Sequence, residues 1–179
     1  MRVYILDADV NRYRGLYYAN EDDIVEFNRR FDGTPIKKTW TGNEKFAFIP
    51  ERLPNGDTPG LSSHIPVFNL RAVKALADVL EPNGELLPIT CDGERYFLFN
   101  ITRMVDALDE PHCELKRLDD GRIMTIDRHS FIEERLSGVV VFKLPQRPLG
   151  WPYVTDSFVR RVRATKLKGF EFRLAWSSD

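Results

Sequence analysis

The chain has 179 residues, 42% of them hydrophobic and 30% charged, a size and balance that suit one globular domain with its own core and exclude bulk disorder. Its 26 Lys and Arg nearly cancel its 27 Asp and Glu, so no global field draws it to nucleic acid or to an anionic membrane. No stretch reaches the roughly 18 apolar residues that span a bilayer, and the apolar run at Val3 to Leu6 is broken at once by Asp7 and Asp9, unlike a signal peptide.

Val3 to Leu6 reads as an early strand. From Asp22 to Phe31, Ile24, Phe27 and Phe31 recur at helical spacing, although their bulk suits a strand too, and the helix is preferred. Turn formers crowd residues 32–63, which are expected to be loops with a few short extended pieces. Residues 69–81 form the clearest helix: Leu70, Val73, Leu76, Ala77 and Leu80 line one face, Asn69 is a ready N-cap and Pro82-Asn83-Gly84 a stop.

Leu86 to Ile89 and Tyr96 to Ile101, joined through Asp92-Gly93, predict a hairpin, as do Glu114 to Leu118 and Ile123 to Ile126 through Asp119-Asp120-Gly121. Val139 to Leu144 reads as a central strand ended by Pro145. Thr155 or Asp156 caps a helix with Phe158, Val159 and Val162 on its inner face, stopped at Lys168-Gly169. Phe170, Phe172, Leu174 and Trp176 then alternate with Glu171, Arg173 and Ala175, the pattern of a half-buried strand.

Pro66-Val67-Phe68-Asn69, helix, Gly84 and strand are echoed by Pro152-Tyr153-Val154-Thr155, helix, Gly169 and strand, which is consistent with a duplicated helix-turn-strand unit or with coincidence. The expected fold is a single α+β domain, mainly antiparallel sheet with at least two packed helices. Residues 1–63 are its loop-rich part and 64–176 its motif-bearing part.

Chemistry is hard to place. Cys91 and Cys113 are too few for a disulfide scaffold, and with His64, His112 and His129 they match no zinc spacing, so reduced thiols, no metal and no cofactor are expected. The histidines have no nucleophile in a recognisable motif beside them, and no nucleophile elbow, Walker loop or dinucleotide fingerprint occurs. Asp106, Asp109 and Glu110 could hold a cation but lack the ordered spacing of a calcium loop, which favours a solvated acidic turn. Arg160, Arg161 and Arg163 open a basic stretch that could grip phosphates with Phe170, Phe172 and Trp176 stacking bases; the alternation of those aromatics favours a core face instead.

Taken in order, Pro66-Val67-Phe68, Gly84-Glu85-Leu86-Leu87-Pro88, Phe99-Asn100, Val105-Asp106-Ala107-Leu108-Asp109, Asp120-Gly121-Arg122, Val154-Thr155-Asp156-Ser157-Phe158, Gly169-Phe170-Glu171-Phe172 and Trp176 resemble the bacterial immunity-protein family eleven, which is associated with polymorphic toxin systems. The resemblance runs from about Ile65 to Trp176. It implies a small cytoplasmic antidote that binds a cognate toxin domain and blocks it; that the chain is not an enzyme and has no nucleic acid or membrane partner is expected from the missing motifs, the charge balance and the lack of a long apolar run.

Residue types that anchor protein interfaces make Tyr13, Tyr17, Tyr18 and Trp40 candidate contacts, with Asp106, Asp109, Glu110, Arg160, Arg161 and Arg163 as charged ones. Two rivals stand beside this reading. One is a small hydrolase or modification-reversing enzyme working through His64, His112 or the Asp106 to Glu110 acids; the other is a nucleic-acid-binding regulatory module working through the arginines.

Overall fold

The structure, a computed structural model, describes residues 1–19 and 23–178. In chain order the elements are β1 (Arg2–Ala8), β2 (Leu16–Tyr18), α1 (Ile24–Arg29), β3 (Phe46–Phe48), β4 (Val67–Asn69), α2 (Leu70–Leu80), β5 (Gly84–Cys91) and β6 (Glu94–Ile101). There follow β7 (Glu114–Arg117), β8 (Ile123–Arg128), β9 (Val141–Phe142), β10 (Tyr153–Thr155), α3 (Asp156–Thr165) and β11 (Phe170–Ser177). The fold is α+β with antiparallel sheets throughout.

Local signals account for most of these elements. At α2 the Asn69 side chain accepts the Ala72 amide at 2.8 Å, satisfying one of the orphan donors of the first turn. Ala72, Leu76 and Leu80, spaced one turn apart, are fully buried. Leu70, expected on the inner face, is 43% exposed because it opens the helix at the mouth of that face. The β5–β6 hairpin turns on Asp92 and Gly93, both with positive φ, the geometry of a two-residue primed turn.

The two proline-led stretches fold alike. Each begins with a three-residue strand whose last residue stands at the N-cap position of the helix that follows; Asn69 caps α2 with its side chain, whereas the Thr155 hydroxyl donates to the Val139 carbonyl instead of capping α3. In each, the flanking strands do not pair with one another but enclose an antiparallel strand: β4 and β5 hold β6, and β10 and β11 hold β1. These are two split β-α-β units. Their helices share one core, in which Ala72, Leu76 and Leu80 meet Phe158, Val159 and Val162, closed by Phe68 and Phe99 from one sheet and Leu6 and Val154 from the other. Burying each large apolar side chain there contributes roughly 1.5–3 kcal/mol.

Two strands differ from the sequence pattern. The run Val139 to Leu144 supplies only β9, two residues at the edge of a four-stranded sheet ordered β11-β1-β10-β9. The reason is Lys143: fully buried, its ammonium donates to the Phe31 and Pro148 carbonyls at 2.8 and 3.1 Å, and its backbone turns away to bond Arg103 and Val105. In β11 the alternation breaks at a bulge, where Val3 pairs with Trp176 but Tyr4 pairs with Leu174. Phe170 and Phe172 face the helices, whereas Trp176 crosses to the other side of the sheet and meets Phe131 edge-on at 6.0 Å. Leu174 is left 59% exposed. The strand β2 was not foreseen, since three residues are too few to show a period; the Asp22 start of the first helix lies outside the described residues.

One buried acid ties the parts together. Asp57, in the loop-rich stretch, is 5% exposed. Its carboxylate accepts from the Asn69 side chain at 3.0 Å, Arg71 at 2.7 Å and the Lys168 amide at 2.7 Å. Its own amide donates to the Lys168 carbonyl, and its carbonyl accepts from the Asn69 amide. The start of α2 and the turn between α3 and β11 are therefore fastened to one residue.

Removing that carboxylate strands several donors, so Asp57→Ala should lower unfolding free energy by about 3 kcal/mol. Asp78→Ala, which breaks only the exposed 3.1 Å pair with Arg161 between the helices, should cost below about 1 kcal/mol; urea denaturation measures both. In β11, Trp176→Ala should cost about 2–3 kcal/mol and Leu174→Ala under about 0.5 kcal/mol, the reverse ranking overturning the bulge as the cause.

Candidate functional site

The four aromatic candidates divide. The Tyr18 ring stacks on Phe27 at 4.5 Å and touches Phe46, so it serves the core under β2 and β3. Trp40 donates its indole N–H to the Pro88 carbonyl at 2.9 Å, with the Arg30 guanidinium over its ring, and so covers the β5 edge. Tyr13 is half-buried against Gly56, where an added Cβ would sit 3.1 Å from its ring. Tyr17 alone of the four is exposed, on the outer side of β2.

The acidic candidates are close in sequence but committed separately. Asp106 accepts from Arg135 at 3.1 Å and Gln146 at 2.6 Å. Asp109 accepts from His112 at 2.8 Å and the Ser130 hydroxyl at 3.4 Å, and Glu110 accepts from Arg117 at 2.6 Å. Among the described residues no group of His, Cys, Asp and Glu is arranged to hold a metal ion. Both cysteines are free, and burial pushes the Cys91 thiol up to about 11.

Arg160, Arg161 and Arg163 are exposed on the outer face of α3. Arg161 is spent on Asp78, and Arg160 reaches the Ser157 hydroxyl at 3.4 Å. Phe170 and Phe172 pack against Phe158 and serve the core, and both also line a surface pocket with Arg163, Lys166 and Arg12.

Two histidines are structural in their contacts. His64 bonds the Ser62 hydroxyl through Nδ1 at 2.9 Å and the Asn28 carbonyl through Nε2 at 3.1 Å. A carbonyl only accepts, so Nε2 carries the proton and Ser62 donates to Nδ1. That is the contact of a nucleophile with its base, but burial first, and the Lys143 charge in addition, hold the His64 pKa below its ordinary value, which opposes the imidazolium such a base must form. What the ring accomplishes is to close the end of α1, beside Lys143 on the Phe31 carbonyl. His129 bonds the Tyr153 hydroxyl at 2.9 Å and stacks on Phe131; burial, with Arg147 adding to it, pushes its pKa down to about 4. His112 is exposed and bonds Asp109 at 2.8 Å.

A cleft of about 420 Å³ lies where sequence reasoning placed nothing. It runs between the end of β1 and the segment 58–67, with Val10, Ile49, Pro59 and Leu61 as apolar lining and Asp7 and Glu51 as its charged residues. Its base is fixed by two close backbone approaches: Leu16 donates to the Gly60 carbonyl at 2.6 Å and Ile49 to the Gly15 carbonyl at 2.9 Å. A Cβ on Gly60 would lie 2.5 Å from Val10. The glycines were visible in the sequence only as turn formers.

The β6 strand, the β7–β8 hairpin, β10, α3 and all but the last residue of β11 fall within a stretch that a family model recognises. Residues 89–176 match the Immunity protein family (Imm11). The Imm11 match begins within β5, later than the resemblance that starts near Ile65, and both end at Trp176. It omits β1, although β1 is the strand between β10 and β11, so the Imm11 segment needs the N-terminal residues to complete its sheet. The cleft lies wholly outside it. No curated protein matches the chain.

The histidines set an acid sensitivity. Native His129 titrates near 4, below its ordinary value of 6.5, so between those values the unfolded chain binds more protons than the native one. Stability is full above about pH 6.5 and falls as pH drops toward about 4, with His64 acting in the same direction. Urea midpoints across that range should show the fall, and His129→Gln should flatten it; an unchanged slope would remove His129 as the cause.

Proposed function

We propose that the protein neutralises a toxin domain by direct, non-covalent binding that blocks the toxin's active site. The observation that carries this is the match of residues 89–176 to an immunity protein family. The scaffold suits the role, because cross-ties such as those of Asp57 and Lys143 hold the surface in one shape before binding, and a preformed surface loses less entropy on association. A standard interface of about 800 Å² per partner would occupy a small share of the 9763 Å² of accessible surface. The antidote acts in the cytoplasm as one folded domain spanning residues 1–179, needs no cofactor and binds no nucleic acid. Of the candidate contacts, Tyr17, Arg160 and Arg163 are open to a partner.

A binder acts by stoichiometry and an enzyme by turnover. Inhibition of the toxin domain encoded beside this chain's gene should rise linearly with added protein and saturate near one equivalent at concentrations above Kd. His112→Ala, a change at an exposed side chain, should leave the titration within twofold. Complete inactivation by a small fraction of an equivalent, abolished in His112→Ala, would replace binding by catalysis.

A further inference from the structure

We infer that the cleft between β1 and residues 58–67 is where a toxin domain docks, and that it takes a protruding segment of the toxin carrying a Lys or Arg beside apolar side chains. This rests on the proposed function and specifies its surface.

The chemistry of the cleft selects such an occupant. Its lining is apolar at Val10, Ile49, Pro59 and Leu61, its charged residues are Asp7 and Glu51, and none of its lining residues is Lys, Arg or His. Arg173 approaches Asp7 at 3.4 Å, whereas Glu51 is exposed and has no ion-pair partner among the described residues. A cationic side chain entering there gains a carboxylate without displacing one from an existing pair. Val10 is 53% exposed, leaving apolar surface that an occupant would cover.

The cleft is also preformed. The Gly15 and Gly60 carbonyls are both engaged by backbone amides, and the missing side chain at Gly60 lets Val10 lie close against it. Concave, with apolar side chains set beside Asp7, Glu51, Thr58, Ser62 and Ser63, it has the character of a binding site. Finally, it is built from residues outside the segment that matches the immunity family.

The test measures affinity for the toxin domain encoded beside this chain's gene, using the full chain and variants whose thermal unfolding matches wild type. Val10→Asp and Glu51→Lys should each weaken binding at least tenfold, while Met124→Asp, an exposed change on the β7–β8 hairpin, should alter it less than twofold. Hydrogen exchange on the complex should show protection at residues 6–10 and 58–63. Wild-type binding that both cleft variants retain, or protection confined to α3, overturns the cleft and leaves the function standing. No binding by the wild type overturns both. Concentration-dependent dimers of the free protein that Val10→Asp abolishes would assign the cleft to a second copy and overturn the toxin as occupant.

Discussion

A carboxylate withdrawn from water must be met by donors, and Asp57 is met from three directions: the N-cap Asn69, Arg71 in the first turn of α2, and the Lys168 amide beyond α3. Charge-assisted bonds of this kind are the strong ones, and losing any partner leaves the others in a dry site. Their geometry sets the relation between the two split β-α-β units. Around that fixed point Phe68 stacks on Phe170 at 5.7 Å and the two helices share a core. The loop-rich stretch is thus a structural clasp between the units.

The same economy governs the groups that look reactive. Lys143, with its pKa pushed down to about 8 by burial, and neutral His64 both serve the carbonyls that end α1, a helix of six residues too short to be stable alone. His129 is held neutral between Tyr153 and Phe131. Side chains that could do proton chemistry in a solvated cleft are here used to satisfy buried polar groups.

The match to the immunity family divides the molecule unevenly. Residues 89–176 hold β10, α3, nearly all of β11 and the hairpin that packs beneath them, yet the strand between β10 and β11 is β1, from the far end of the chain. Recognition of a stretch of sequence and completeness of a folding unit are separate matters, because a central strand can be supplied from any distance along the chain.

Much of the scaffold was legible in the residues. The cap at Asn69, the turn at Asp92-Gly93, the inner face of α3 and the echo of helix, turn and strand are all local patterns, carried by spacing and turn chemistry, and the structure contains each of them, adding to each echo a leading strand that the sequence did not show. The resemblance to the immunity family likewise needed only the order of short motifs. What the sequence could not decide depends on which distant residues meet. Lys143 broke an apolar run because carbonyls from Phe31 and Pro148 were there to receive it. The bulge in β11 moved Trp176 across the sheet because β1 fixed the register on its other side. The candidate acids looked like a cluster, but Arg135, His112 and Arg117 drew them apart. The cleft arises where β1, the start of β2 and residues 58–67 converge. A chain carries its periodicities in itself, but a partner across a buried contact or an opening between segments exists only once the tertiary fold has closed.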